Sequence, residues 1–379
     1  MHPTLCTPIV ELLGIRAPVV QTGMGWVAGA RLTAATSAAG GLGILASATM
    51  TIDELDRQIA EVKDRTAAPF GVNLRSDAED AADRIELMIR RGVRVASFAM
   101  APRPEQIARL KDAGLVVIPS VGAKRHAEKV AGWGADAVIV QGAEGGGHTG
   151  AVPTTLLLPQ VVDAVDIPVI AAGGFFDGRG LVAALAYGAA GIAMGTRFLL
   201  TSDSRVPDAV KQVYLEQAVT DTIVTTQVDG WPHRVLRTPL VERLDRGNAA
   251  TNLPRALRNA WAFHELSGLS WRALAKEGLA MKRSQDLGWS QVLMAANTPM
   301  LLKAAMVDGR PDLGVMASGQ VVGVIDDLPS AAEVVERIVA EAERVLGRLA
   351  GGAANAPSHP RGVGETEPAA TAATTGANG

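Results

Sequence analysis

From residue 16 to about 200 the chain alternates between short apolar, often β-branched runs and longer stretches where alanine and charge share a helical period. The runs predict strands at Pro18–Gln21, Gly43–Ala46, Phe70–Leu74, Val93–Ala99, Val116–Val121, Ala137–Gln141, Pro168–Ala172 and Ile192–Phe198. Between them the period predicts helices, among them Asp53–Arg65, Asp80–Arg91, Pro104–Ala113, Lys124–Trp133 and Gly178–Tyr187. Strands apolar along their whole length are buried on both faces, as in a parallel sheet covered by helices. Eight such units in succession predict an α/β fold, a closed (β/α)8 TIM barrel. An open doubly wound sheet is the alternative. Its first βα turn should carry a GxGxxG run, and Gln21-Thr22-Gly23-Met24-Gly25-Trp26 does not extend into one.

After Arg197 the rhythm stops. Residues from about 206 to 300 are largely helical in pattern, with tryptophans at 231, 261, 271 and 289. Pro299 to Pro329 is glycine-rich and loop-like, and Ala331–Leu349 has the period of one last amphipathic helix. The expected organisation is a barrel over 1–205, a smaller helical lobe inserted after strand eight with a return loop over 206–325, and a closing barrel helix over 326–349. The stretch 350–379, rich in Gly, Ala, Pro, Thr and Asn without periodicity, is expected to be a disordered tail.

Composition sharpens this picture at a few points. Only 4% of the 379 residues are aromatic while 48% are hydrophobic, so the core is built from Ala, Val, Leu and Ile, as in α/β layers. A net charge of −3 gives no reason to expect nucleic acid or a membrane surface as partner. The lone Cys6 excludes an intrachain disulfide and fits a reducing cytoplasm, the expected location. Residues 1–6 lack the basic start and apolar run of a signal peptide. No apolar window reaches the roughly 18 residues of a membrane-spanning helix.

The candidate chemistry gathers at predicted strand ends. Gln141-Gly142-Ala143-Glu144-Gly145-Gly146-Gly147-His148-Thr149-Gly150 leaves strand six, so Gly146 and Gly147 let main chain approach a ligand and His148 places one imidazole beside it. His148 is the candidate catalytic or substrate-orienting residue; the alternative is a histidine that only bonds its own loop. His233 is a second candidate. Gly173 and Gly174 after strand seven, with Gly195, Thr196 and Arg197 after strand eight, stand where barrels of this class grip phosphate. The plainer alternative is that these glycines only make tight turns. Gly23 and Met24 after strand one could lie flat against a planar ring. Asn73 offers a carboxamide and Lys124 a cation to balance charge on a reduced ring. Glu144 is an orienting group for His148, a partner for ribityl hydroxyls of such a ligand, or a solvated carboxylate. No Ser/His/Asp arrangement, HExxH or paired-His spacing is present, so no metal is expected. If the mouth holds a planar phosphorylated ring, the chemistry is redox and belongs to that cofactor.

These segments resemble the nitronate monooxygenases, formerly 2-nitropropane dioxygenases, and their relatives the FMN-dependent enoyl reductases. The resemblance rests on Val19–Gly25, Ala39–Gly43, Gly71-Val72-Asn73, Gln141–Gly150, Ala171–Gly174 and Met194–Phe198. It implies a barrel holding FMN, with phosphate on Gly173, Gly174, Gly195 and Thr196. It also implies an isoalloxazine lined by Gly23, Met24, Asn73, Lys124 and Gln141, and His148 as base on a carbon acid. Ala317–Gly323 resembles the family's Gly-Gln segment, which implies that Gln320 reaches the flavin mouth. Gly288–Asn297, with Thr22–Gly29, is similar to an actinobacterial branch linked to breakdown of steroid rings as CoA thioesters.

Four functions compete. The first is an FMN oxidoreductase acting on the α,β-bond of a CoA thioester, with Arg234, Arg237, Arg243 and Arg246 as cations for the CoA phosphates. The second is a nitronate monooxygenase using oxygen, and the third a quinone or enoyl reductase using NAD(P)H. The last is a flavinless barrel that merely binds a phosphorylated ligand or serves as a structural subunit. The substrate is a small molecule in each enzymatic case. The oligomeric state stays open, a homodimer being one option.

Overall fold

The computed structural model describes residues 2–99, 101–228, 230–246, 261 and 297–351. Eight parallel strands close into a barrel: β1 (Val19–Gln21), β2 (Leu42–Ala46), β3 (Phe70–Leu74), β4 (Val95–Phe98), β5 (Val116–Val121), β6 (Val138–Gln141), β8 (Val169–Ala172) and β9 (Gly191–Met194). The two-residue β7 (Gly147–His148) stays outside the ring. Val20 sits opposite both Leu42 of β2 and Ala193 of β9, which closes the ring.

Alternate strand residues fill the interior. Val20, Leu42, Ile44, Val95, Val116, Ile118, Ile139 and Ile170 form one buried cluster with Ile9 and Leu13 of α1 (Pro8–Leu13). That cluster is a packed core, so a ligand has no room inside the barrel and must sit over a strand end.

The outer layer is α2 (Ala30–Ala39), α3 (Ile52–Arg65), α4 (Ala81–Arg90), α5 (Pro104–Asp112), α6 (Lys124–Gly132), α7 (Thr154–Val162) and α8 (Gly178–Ala186). In α3, Leu55, Ile59 and Val62 recur at helical spacing and are buried. Its N-terminus is capped by Thr51, which accepts from the Glu54 N–H. Acidic Asp53 and Glu54 open the helix and basic Lys63 and Arg65 end it, each complementing the dipole. At Gly43 a Cβ would lie 2.1 Å from the Thr33 carbonyl oxygen, so α2 rides directly on β2.

Beyond β9 the structure departs from the expected pattern. The eighth strand ends at Met194 rather than Phe198, because the chain turns at Gly195 into the single helical turn α9 (Thr196–Leu199). Helices α10 (Asp208–Leu215), α11 (Pro239–Arg246) and α12 (Asn297–Met306) follow. The helical expectation fails between α10 and α11, where β10 (Thr222–Thr225) and β11 (His233–Leu236) form an antiparallel pair. Their period-two runs are short, and on its other side β11 pairs with β7, which lies much earlier in the chain (His233 opposite His148). The lobe residues 247–260 and 262–296, and the tail from 352, lie outside the described residues.

The last helix, α13 (Ala331–Ala350), opens on a Ser330–Glu333 capping box. It presses onto α8, where a Cβ on Gly178 would meet the Ala342 nitrogen at 2.4 Å, and Glu341 accepts from the Gly178 N–H at 2.8 Å. No helix among the described residues is long and apolar enough to cross a membrane.

Candidate active site at the barrel mouth

The C-terminal strand ends form one rim. At β1, Gln21 is fully buried and its amide donates to the Ile44 carbonyl at 3.1 Å and to the Thr22 carbonyl. Its Oε1 is buried with no hydrogen-bond partner among the described residues. Gly23 lies against β3, since a Cβ there would stand 2.5 Å from the Asn73 Cβ. Asn73 is itself nearly buried and donates to Ser97 Oγ at 3.2 Å, while its carbonyl accepts from Ser47 Oγ at 2.7 Å. Across the gap a Cβ on Gly195 would meet Thr22 Oγ1 at 3.3 Å and Met24 Sδ at 3.4 Å. Strands one, three and nine therefore bring Gly23, Met24, Asn73 and Gly195 to one side of the mouth.

The loop after β6 is fixed from below and above. Gln141 fills the space a side chain at Gly145 would need and donates to the His148 carbonyl at 2.7 Å. Glu144 turns down and accepts from the Thr154 N–H at 3.0 Å and its hydroxyl at 2.7 Å. It is thus the cap that Pro153 cannot supply to α7. From above, β11 pairs with β7, setting His233 opposite His148. Arg234 donates twice to the Ala143 carbonyl, at 3.1 and 2.9 Å, and once to Thr222 Oγ1 at 2.9 Å. Burial pulls its guanidinium below the ordinary value, opposed by the charge of Glu144. The return segment joins in: a Cβ on Gly146 would sit 2.5 Å from the Gly319 nitrogen, and Gln320 N–H donates to the Glu144 carbonyl at 3.0 Å. Strands β10, β11 and β7, with residues 316–320, make a small cap beside the mouth.

The glycine loops complete the rim. Gly173 and Gly174 have φ of 97° and 81°, a backbone region that side chains resist. Gly173 faces Gly142 and Thr154, while Gly174 meets only the aliphatic part of Glu144 at 3.5 Å. Thr196 accepts from the Gly319 N–H at 3.1 Å, linking the β9 turn to the return segment.

Most residues singled out in the sequence meet here; a few do not. Lys124 starts α6 at the rim, but its ammonium lies 3.6 Å from Glu128 one turn along the helix, both half-exposed. The Arg197 guanidinium points away from the mouth to Asp327, at 2.8 Å, and anchors the return segment. That guanidinium is engaged by Asp327 and the Leu200 carbonyl. Of the arginines considered for CoA, Arg234 is held inside the cap and Arg246 lies beside Glu242 at 3.3 Å; Arg237 and Arg243 are exposed. Among the described residues no group of three His, Cys, Asp or Glu side chains could hold a metal.

Sequence reasoning assigned no role to Gln21, Thr154 or Trp26. Gln21 was detectable as a polar residue closing an apolar run. Trp26 was not. It is the one non-glycine with positive φ (64°) among the described residues, and its indole donates to the Pro299 carbonyl at 2.9 Å.

Comparison with known proteins agrees with this architecture. A dehydrogenase of Mycobacterium tuberculosis, named for (3aS,4S,5R,7aS)-5-hydroxy-7a-methyl-1-oxo-octahydro-1H-indene-4-carboxyl-CoA, is 67% identical over 89% of this chain and 96% of its own. The Rhodococcus jostii protein of the same name is 63% identical over 91% and 98%. The structure of FabK from Thermotoga maritima superposes with a TM-score of 0.74 at 34% identity, covering 91% of this chain and 98% of that one. The family model described as nitronate monooxygenase matches residues 7–341, from the helix that plugs the barrel through most of the helix that closes it. The chain is therefore an oxidoreductase of the nitronate monooxygenase family.

Proposed function

We propose that this protein is an FMN-dependent dehydrogenase acting on the α,β-bond of a bicyclic CoA thioester. The observation that carries the substrate class is the 67% identity, over nearly the whole chain, to the enzyme named for a hydroxy-oxo-indene-carboxyl-CoA.

The mouth residues fit a planar phosphorylated ring. Gln21 Oε1 is a buried acceptor without a hydrogen-bond partner among the described residues, and a flavin ring edge carries an N–H that would match it. Gly23 and Gly195 leave open main chain beside Met24, whose polarisable thioether suits a ring face. Gly173, Gly174, Gly195 and Thr196 would hold the phosphate through main-chain N–H groups and one hydroxyl. Asn73 and Gln141 would meet the ring, with Gly146, Gly147 and Gln320 bounding it on the cap side.

The chemistry supplied by bound FMN is acceptance of a hydride with its electron pair. The thioester makes the α-hydrogen acidic, and the His148 imidazole, exposed at the mouth, takes that proton as the Cα–H bond breaks. The pair released at Cα becomes the new double bond as hydride departs Cβ. Gln141 fixes the His148 main chain from below while β11 fixes it from above, so the base needs little reorganisation.

A nitronate monooxygenase is the second reading, favoured by the description of the matching family model. Anaerobic mixing separates the two. The yellow protein is mixed in separate trials with the saturated bicyclic acyl-CoA, an alkyl nitronate, NADH and NADPH. Flavin bleaching by the thioester is expected; bleaching by the nitronate alone would favour the second reading, and a colourless protein would remove FMN.

A further inference from the structure

We propose that His233 is a positioning residue that sets the plane of the His148 imidazole; this rests on the reading of His148 as the base. The two are direct cross-strand partners on β7 and β11, and their rings stand 4.6 Å apart between centroids, tilted by 39°. That spacing and tilt lie within the range of favourable aromatic pairs. The members differ in environment: His233 is 2% exposed, whereas His148 is exposed. A buried ring against a solvent-facing one is a fixed surface on which the outer ring rests.

The surroundings of His233 hold it in that place. Its strand is bonded on one side to β10, with His233 opposite Thr225, and on the other to β7. The flanking residues tie the strand to the loop: the Pro232 carbonyl accepts from Thr149 N–H at 3.1 Å, and Arg234 grips the Ala143 carbonyl. Gly147 adopts a φ of 73°, and a Cβ there would come no nearer than 3.9 Å to His233 Nε2. That glycine therefore serves the bend that brings the two rings together, not a steric gap. An exposed imidazole on a glycine-rich loop would otherwise sample several rotamers, and misplacing a base by an ångström costs rate rather than affinity.

The test compares His233→Ala, His233→Phe and His148→Ala in the FMN-loaded protein. The readouts are kcat and KM for the bicyclic acyl-CoA, flavin absorbance, and the imidazole NMR signals of selectively labelled histidine. In His233→Ala, kcat should fall about tenfold with KM within about twofold and flavin retained. The His148 ring signal, identified by its loss in His148→Ala, should move as the neighbouring ring is removed. His233→Phe keeps a flat ring and should return kcat to within about threefold of wild type. Wild-type kcat and an unmoved His148 signal in His233→Ala, with His148→Ala inactive, would overturn the positioning role alone. Full turnover in His148→Ala would instead overturn the reading of the base beneath it. If His233→Ala does not fold, His233→Phe decides: near-normal kcat is expected, and a tenfold loss contradicts ring-on-ring positioning.

Discussion

The barrel wall and the cap beside its mouth are held by different forces. Along the wall, Val20, Ile44, Val95, Ile118, Ile139 and Ile170 share one apolar interior. Most strands pair with the strand next along the chain. In the cap, Arg234 reaches Ala143 across 91 positions, Tyr214 donates to the Ala317 carbonyl across 103, and Gly319 to Thr196 across 123. The wall spreads its stability over many contacts, so losing one polar group there changes little. Each cap link is one or two hydrogen bonds from a single group to a main-chain or hydroxyl oxygen, so removing that group takes away the donors the oxygen was matched with. A site that joins both regions should lose cofactor when the wall side is damaged and lose turnover when the cap side is.

The largest effect is expected at Gly174. Leucine there must adopt a φ of 81°, at a strain of about 1–3 kcal/mol, and would put a side chain where main-chain N–H groups would meet the phosphate. Gly174→Leu should lose most of its FMN with the fold retained, read from flavin absorbance against circular dichroism. Full flavin content would detach this turn from the phosphate. Arg234→Ala comes next: kcat should drop about tenfold while flavin stays, because the Ala143 carbonyl loses both of its guanidinium donors. Arg234→Lys should restore little, since one ammonium cannot span Ala143 and Thr222 together.

Smaller changes sharpen the same contrast. Burial pushes the Tyr214 phenol up, and its hydroxyl donates to the Ala317 carbonyl at 2.8 Å. Tyr214→Phe should cost about 1 kcal/mol in denaturant unfolding, because one buried acceptor is left unmatched. The smallest effect concerns Asp327. Burial alone would raise its carboxyl, but hydrogen bonds from Arg197 and Arg337 outweigh this and hold it below the usual carboxylate range. A folded value below the unfolded one means that stability is fully present above the ordinary aspartate range and is lost as the pH falls below that range through the lowered folded value. Asp327→Asn should flatten part of that acid limb in pH-dependent melting, modestly, since the carboxylate is 40% exposed.

The wall was legible in the sequence because its signals are local. Apolar runs such as Phe70–Leu74 and Val116–Val121 coincide with β3 and β5 residue for residue. The glycine turns after β8 and β9 stood out for the same reason. The cap was hidden because its pairing is non-local: Thr222–Thr225 and His233–Leu236 are short, lie between helical stretches, and complete their sheet only with Gly147–His148. Side-chain direction was also beyond reach. Lys124 starts α6 at the rim yet its ammonium lies beside Glu128, and Arg197 follows the phosphate turn yet binds Asp327. Glu144, read as orienting, hydroxyl-binding or solvated, accepts from the first residue of α7.

The division of labour between wall and cap is tested most directly by one measurement on His148→Ala: flavin content, followed by anaerobic mixing with the saturated bicyclic acyl-CoA. The variant should carry as much FMN as the wild type and fail to bleach. Bleaching at the wild-type rate would contradict the assignment of the proton step to His148, and loss of FMN would contradict the separation of the two regions.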